Sequence, residues 1–329
     1  MINERLKVLD GWRAISILAV LACHLMPLGP KVFRLNYAAG LFGMALFFTL
    51  SGFLATQFFL YKDGVVNFLI RRFFRILPLA WLYIVVTLLI YSADISTWLA
   101  HMFFYANFPP KPLIPHITEH LWSLCVEMHF YIGIAILVAF LKKKGLLLIP
   151  LLCIGITLFR ISQHSHVSVI TYLCIDEILV GGFLALIYER KLGENIINFV
   201  RKQNFLLMLI LFVISCHPRG GAFMYFKPYF AALLIGTTLL NPETKISQLL
   251  NHKVFFYIAS ISYALYIIHP LLASTWLGSG EGWDKYMKRP LLFTVLFFLA
   301  HVSTFYFEKR CIAFGKNVSN FISVRTNRA

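Results

Sequence analysis

The chain has 329 residues, 59% hydrophobic and 16% aromatic, with a formal net charge of +16. Soluble domains are about 45–50% apolar, so this composition excludes an ordinary soluble domain. The basic residues sit in short clusters between apolar runs, which is how membrane topology is written and not the footprint of a nucleic-acid partner.

Ten apolar segments of spanning or near-spanning length are predicted, at roughly 12–28, 38–61, 76–92, 120–141, 145–160, 169–188, 204–217, 222–240, 254–276 and 290–307. The first lacks a small-residue cleavage site and is expected to remain as a helix. The stretch 95–108 is too short to span and is placed at the interface. The seventh segment is short, and the eighth carries Lys227. With the N-terminus cytoplasmic, the inner side holds 20 Lys and Arg against 9 outside, which puts both termini in the cytoplasm. The expected fold is therefore all-α, a polytopic membrane protein of about ten transmembrane helices. One transmembrane domain covers 1–311, followed by a short cytoplasmic tail at 312–329. The six cysteines are scattered without a CxxC pair, so neither a disulfide framework nor a zinc site is expected.

Polar residues inside these segments carry the functional argument, because ionisable groups in a membrane helix are costly and mark function by default. Arg13 and His24 lie eleven residues apart in the first segment. At 100° and 1.5 Å per residue they are about 20° apart around the helix and about 16 Å apart along it. The plain alternative is an arginine that snorkels to the headgroups and a histidine satisfied in the core. His24, Glu127, Asp176, Glu177 and His269 fall at similar depth in the outer half of four segments, which suggests a shared polar cavity. On the inner side, Arg71, Arg72 and Arg75 precede Pro78, with Arg71 and Arg75 at i, i+4 on one face. Arginine suits bidentate phosphate binding. A phosphate cluster inside and a deep histidine outside suggest a long ligand of the shape of acyl-coenzyme A. His101, His116, His120 and His129 come with no HExxH and no cysteine partner, so no metal is expected. Ser51, beside Gly52, reads first as a small helix-packing residue.

Taken together, these residues resemble the acyltransferase 3 family of integral membrane acyltransferases. Leu9-Asp10-Gly11-Trp12-Arg13 followed by His24 is similar to its opening. Gly40 to Leu54, ending in Ser51-Gly52-Phe53, resembles its Gly-rich second helix, and Phe68 to Pro78 its basic segment. Trp122-Ser123-Leu-Cys-Val-Glu127 followed by Tyr131 is similar to its Trp-Ser-Leu-x-x-Glu motif, with Met128-His129 as a departure. Ser262 to Pro270 and Phe307-Glu308-Lys309 fit the late helices. The resemblance runs from about Arg5 to about Cys311.

The resemblance implies ten helices, a cytoplasmic acyl donor, usually acetyl-CoA, and a carbohydrate or other hydroxyl acceptor at the outer side. Many members carry an appended hydrolase-like domain. None is read here, so transfer is expected within the membrane domain or with a partner. No bound cofactor is expected; acyl-CoA is a substrate. His24 is expected to act as general base or acyl-carrying nucleophile. Glu127 would orient His24, and Arg13 would pair with Asp10 or a donor phosphate. Arg71, Arg72 and Arg75 would hold the donor phosphates, with Ser51, Trp122, Tyr131, Asp176 and His269 in support. The expected location is the bacterial inner membrane, among lipids and facing a carbohydrate acceptor that is free or lipid-linked. The competing class is a transporter or flippase for a lipid-linked saccharide, against which no internal repeat is seen.

Overall fold

The computed structural model describes residues 6–61 and 64–326. Arg5, Lys62 and Arg328, and the side chain of Arg325, lie outside the described residues. Among the described residues the fold is all-helical. Seven helical stretches are long and apolar enough to cross a membrane, or eight if one sharply bent pair counts as a single span.

The difference from ten has local causes. The fourth and fifth predicted segments lie in one 44-residue helical stretch, Glu119–Ser162. A straight helix of that length would measure about 66 Å, twice a bilayer core of about 30 Å. Lys142, at φ 54°, interrupts it. The sixth segment forms a helix only over Asp176–Tyr188, 13 residues. The seventh is a 12-residue helix bent by 85° from the short amphipathic one before it.

The chain divides into two compact units, Met1–Gln57 with Lys143–Ser262, and Phe58–Lys142 with Tyr263–Ala329. The first unit contains α1 (Lys7–Leu25), most of α2 (Leu35–Tyr61) and the first half of α12 (Lys253–Ala273). Between them it holds α6 (Ile149–Ser162), α7 (Asp176–Tyr188), α8 (Glu194–Arg201), α9 (Phe205–Cys216), α10 (Lys227–Leu240) and α11 (Lys245–Leu250). Glycines set its helix spacing. Gly43 and Gly52 are nine residues apart on α2, half a turn out of phase. A Cβ on Gly43 would meet the Ser16 carbonyl of α1, and one on Gly52 would meet the Ile178 carbonyl of α7. Only hydrogen fits there, so α2 is held between α1 and α7 at backbone contact, as small residues permit in membranes. Ser51, buried beside Gly52, belongs to this packing.

The second unit contains α3 (Val65–Ile90), α4 (Ile95–Met102), α5 (Trp122–Leu141), the rest of α12, α13 (Gly282–Met287), α14 (Arg289–Val302) and α15 (Lys309–Thr326). Its core is aromatic. Phe59 and Phe68 approach to 4.4 Å between ring centroids, and Phe68 meets Tyr131 edge-on at 5.6 Å. A π-helical turn, Ser303–Glu308, joins α14 to α15. Within the stretch expected as a short cytoplasmic tail, residues 312–326 are part of α15, which packs along α3. There Arg71 donates to Ser319 Oγ at 3.2 Å and to Asn320 Oδ1 at 3.3 Å, and Ser319 bonds Asn67.

Candidate active site

In the first unit, α1 is unbroken from Lys7 to Leu25. Arg13 and His24 are therefore stations along one helix and not a contacting pair. The Asp10-Gly11-Trp12 run preceding them is structural in part. Gly11 is pressed against the backbone of Leu250, and the Trp12 indole donates to Thr238 Oγ1 at 2.8 Å. Asp10 is buried one turn before Arg13, which is half-buried.

His24 is exposed in the last turn of α1. The carbonyls of a helix end need partners, and here Asn36 supplies them. Its Nδ2 donates to Cys23 O at 2.8 Å and Met26 O at 2.7 Å, with Ala22 O at 3.3 Å, while its Oδ1 accepts from Leu28 N at 3.3 Å. One side chain at the start of α2 thus fixes the turn that carries His24. Sequence reasoning missed it. Its only signal was an amide just ahead of an apolar run.

Asp176 and Glu177 also belong to the first unit, and each has a cation. Arg160 Nη1 meets Asp176 Oδ2 at 2.6 Å with both side chains fully buried. Lys227 Nζ meets Glu177 Oε1 at 2.8 Å, nearly as deep. Thr157 adds a 2.9 Å bond to Asp176, and Arg160 Nη2 donates to His166 O at 2.8 Å. Lys227 was expected inside the eighth segment, and Arg160 ends the fifth. They are internal counter-ions, and this network is where the helix of the sixth segment starts.

The second unit holds the basic segment. Arg71 and Arg75 were expected to act together on one face. Arg71 instead bonds α15, and Arg72 and Arg75 are the pair that meets the Tyr131 and Glu127 surroundings. The Arg72 guanidinium lies 5.1 Å from the Tyr131 ring centroid and 5.6 Å from that of Phe68. Tyr131 donates to Glu127 Oε1 at 2.5 Å, as the i, i+4 spacing on α5 dictates. Arg75 interacts electrostatically with Arg72, Tyr131, Glu127 and Glu308. Arg75 is solvent-accessible, whereas Glu127, Tyr131 and Glu308 are buried. Glu308 accepts from Thr304 Oγ1 at 3.0 Å and Ser303 Oγ at 3.2 Å inside the π-turn. The result is an exposed arginine that feels two buried carboxylates.

A further polar cluster of this unit surrounds His269. Its Nδ1 donates to Tyr266 O at 2.8 Å, which fixes Nε2 as the unprotonated nitrogen of the neutral ring. The Tyr266 hydroxyl donates to His120 O at 2.5 Å and lies 2.6 Å from Ser123 Oγ. The His120 and His269 rings are 5.6 Å apart. Trp122 is half-buried at the start of α5. Among the described residues, no group of three His, Cys, Asp or Glu could hold a metal ion. Of the carboxylates and histidines expected at one depth, His24, Asp176 and Glu177 lie in the first unit and Glu127 and His269 in the second.

Comparison with known proteins assigns the class. The acyltransferase 3 family model, described as an acyltransferase domain, matches residues 6–309, and the chain belongs to that family. Among its relatives is a Staphylococcus aureus (strain COL) protein named "Putative O-acetyltransferase SACOL0978", 26% identical over 307 residues, covering 79% of this chain and 49% of that protein. The Bacillus subtilis "Putative peptidoglycan O-acetyltransferase YrhL" is 26% identical over 316 residues, covering 79% and 47%. The "O-acetyltransferase OatA" of Staphylococcus aureus is 24% identical over 311 residues, covering 79% and 49%. The chain spans about half the length of the curated relatives it matches. No solved structure matches it.

Proposed function

We propose that this protein is an inner-membrane O-acyltransferase of bacteria. It moves an acyl group, acetyl by default, from acyl-CoA to a hydroxyl of a cell-envelope carbohydrate. The observation that carries this reading is α1 itself, an unbroken helix with Arg13 and His24 on one face and its last turn anchored by Asn36. The name of the Bacillus subtilis relative makes peptidoglycan the first acceptor to try, with O-antigen and exopolysaccharide next.

In this mechanism a neutral His24 takes the proton of the acceptor hydroxyl as its oxygen attacks the thioester carbonyl. The tetrahedral intermediate collapses, the C–S bond breaks, and the imidazolium returns the proton to the departing thiolate. The carbonyl end of α1 carries partial negative charge, which favours that imidazolium. Arg75, with Arg72, binds the donor phosphates. Glu127 and Glu308 hold the Arg75 guanidinium in place, and Tyr131 links Glu127 to Arg72. The glycosyl or glycan hydroxyl is the nucleophile, so no covalent enzyme intermediate is required.

The test is donor turnover by purified protein with peptidoglycan fragments or O-antigen as acceptor. Acetyl-CoA consumption with acetyl-ester formation supports the reading, and absence of both across these acceptors contradicts it. The bent α8–α9 pair is the one feature that favours transport of a lipid-linked saccharide, since transporters use broken helices. Saccharide translocation in vesicles without thioester turnover would decide for that reading.

A further inference from the structure

The start of α14 is built unlike the rest of that helix. Leu292, Leu296 and Ala300 are fully buried and form one stripe along it. Arg289, three residues before Leu292, begins the same stripe and is itself only 7% exposed. A hydrophobic residue would be expected there. Arg289 Nε and Nη1 are buried with no hydrogen-bond partner among the described residues. A buried, permanently charged guanidinium with unpaired donors is unstable unless an anion meets it.

The direction of the side chain says where that anion sits. Helical Cα–Cβ bonds tilt toward the N-terminus, so a long side chain at the first position projects beyond the helix start. Tyr286, the electrostatic neighbour of Arg289, lies on the preceding helix, on that side. The guanidinium therefore lies toward Tyr286, ahead of a first turn that has few donors of its own, since Pro290 has no N–H and Leu292 N bonds Lys288 O at 2.9 Å. A guanidinium with open donors takes a phosphate in bidentate geometry. Lys288 does not compete for Arg289. It pairs with Asp284 at 2.8 Å and lies 5.1 Å from the Trp276 ring centroid.

The surroundings are those of a membrane interface. Trp276 is 63% exposed and Trp283 85%. Exposed tryptophans belong at headgroup level. From the same end, Leu291 and Phe298, seven residues apart on one face of α14, are exposed along the span.

The geometry points to a binding site at the N-terminus of α14 for the phosphate of a membrane lipid. Arg289 holds the phosphate, and the tryptophans flank the headgroup. This site is independent of the acyl-transfer chemistry.

Lipid binding to the purified full chain in detergent, followed by native mass spectrometry, tests the site. The probes are dioctanoyl phosphatidic acid, dioctanoylglycerol and inorganic phosphate. Wild type is expected to bind the phosphatidic acid at least about tenfold tighter than Arg289→Gln does, since a charge-assisted bidentate contact is lost. Dioctanoylglycerol and phosphate alone are expected to bind weakly to wild type. Equal affinity of wild type and Arg289→Gln for phosphatidic acid overturns the site. Dioctanoylglycerol binding as tightly as phosphatidic acid reduces it to an apolar contact and overturns it too. Inorganic phosphate binding as tightly overturns the lipid as its source. If Arg289→Gln does not fold, the wild-type comparison of the three probes still decides.

Discussion

At the scale of single residues, α1 carries the two residues proposed for the chemistry, and α2 supplies the residue that caps its end. The shared face of Arg13 and His24 was legible in the sequence because helical periodicity alone puts residues eleven apart on one face. Asn36 was not legible. Its value lies in folding back across ten to fourteen residues to cap carbonyls, which no local pattern announces. His24→Ala is expected to abolish acyl transfer with the protein still inserted in the membrane, checked by acetyl-ester formation in membranes of matched protein content. Asn36→Ala is expected to lower kcat by about tenfold with KM for the donor unchanged. It loosens the turn that carries His24 and removes no residue proposed to bind the donor, and a displacement of about 1 Å has effects of that order or larger.

His101 is the residue with a clear pH signature. It lies in α4, the short helix expected at the interface, and bonds Thr97 O through Nδ1 at 2.8 Å. Its Nε2 accepts from Thr118 Oγ1 at 2.8 Å, and that hydroxyl in turn accepts from Ile114 N. Burial pushes the His101 pKa down from its ordinary value. The unfolded chain then takes up the proton more readily, so this contribution to stability is complete above about pH 6.5 and drains as pH falls below it. Melting temperatures of the purified protein are expected to drop more steeply from pH 7 to 5 for wild type than for His101→Asn.

At the scale of elements, two helices differ from the plain hydropathy reading, and for the same reason. Hydropathy registers a charge but not its partner. The sixth segment looked like a span with two buried acids; the structure begins α7 at those acids and pairs them with Arg160 and Lys227. Removing one member of a buried pair leaves an uncompensated charge and costs about 3–5 kcal/mol. Arg160→Ala is expected to lose stability on that scale in a denaturation experiment, and Asp176→Asn no less, because it strands the permanently charged, fully buried Arg160. Likewise the C-terminal residues, polar enough to look like a tail, form α15 along α3 and bond Arg71. Arg72→Ala and Arg75→Ala are each expected to raise KM for acyl-CoA by about tenfold or more, as losing a charged phosphate contact does. Arg71→Ala is expected to leave that KM near wild type and lower stability instead. Steady-state kinetics with varied donor, beside melting curves, separates the two outcomes.

At the scale of the whole molecule, the helical class and the family were readable from the order and spacing of weak motifs spread over most of the chain. The number of spans was less so. A hydropathy window sees apolar length and misses the left-handed residue Lys142 and the 85° bend before α9. Division into two units, each assembled from an early and a late stretch of chain, was invisible in the sequence, because nothing local marks which helices will share a core. The motifs divide accordingly, with the Arg13–His24 helix in one unit and the Arg72–Arg75–Glu127 cluster in the other. The central claim is that this chain performs thioester-dependent acyl transfer with His24 as its base. Release of free CoA thiol by the purified full chain, given acetyl-CoA and a carbohydrate acceptor, tests it most directly. The account predicts acceptor-dependent thiol release in wild type that falls to background in His24→Ala while donor binding persists. Thiol release of equal rate in both proteins would contradict it.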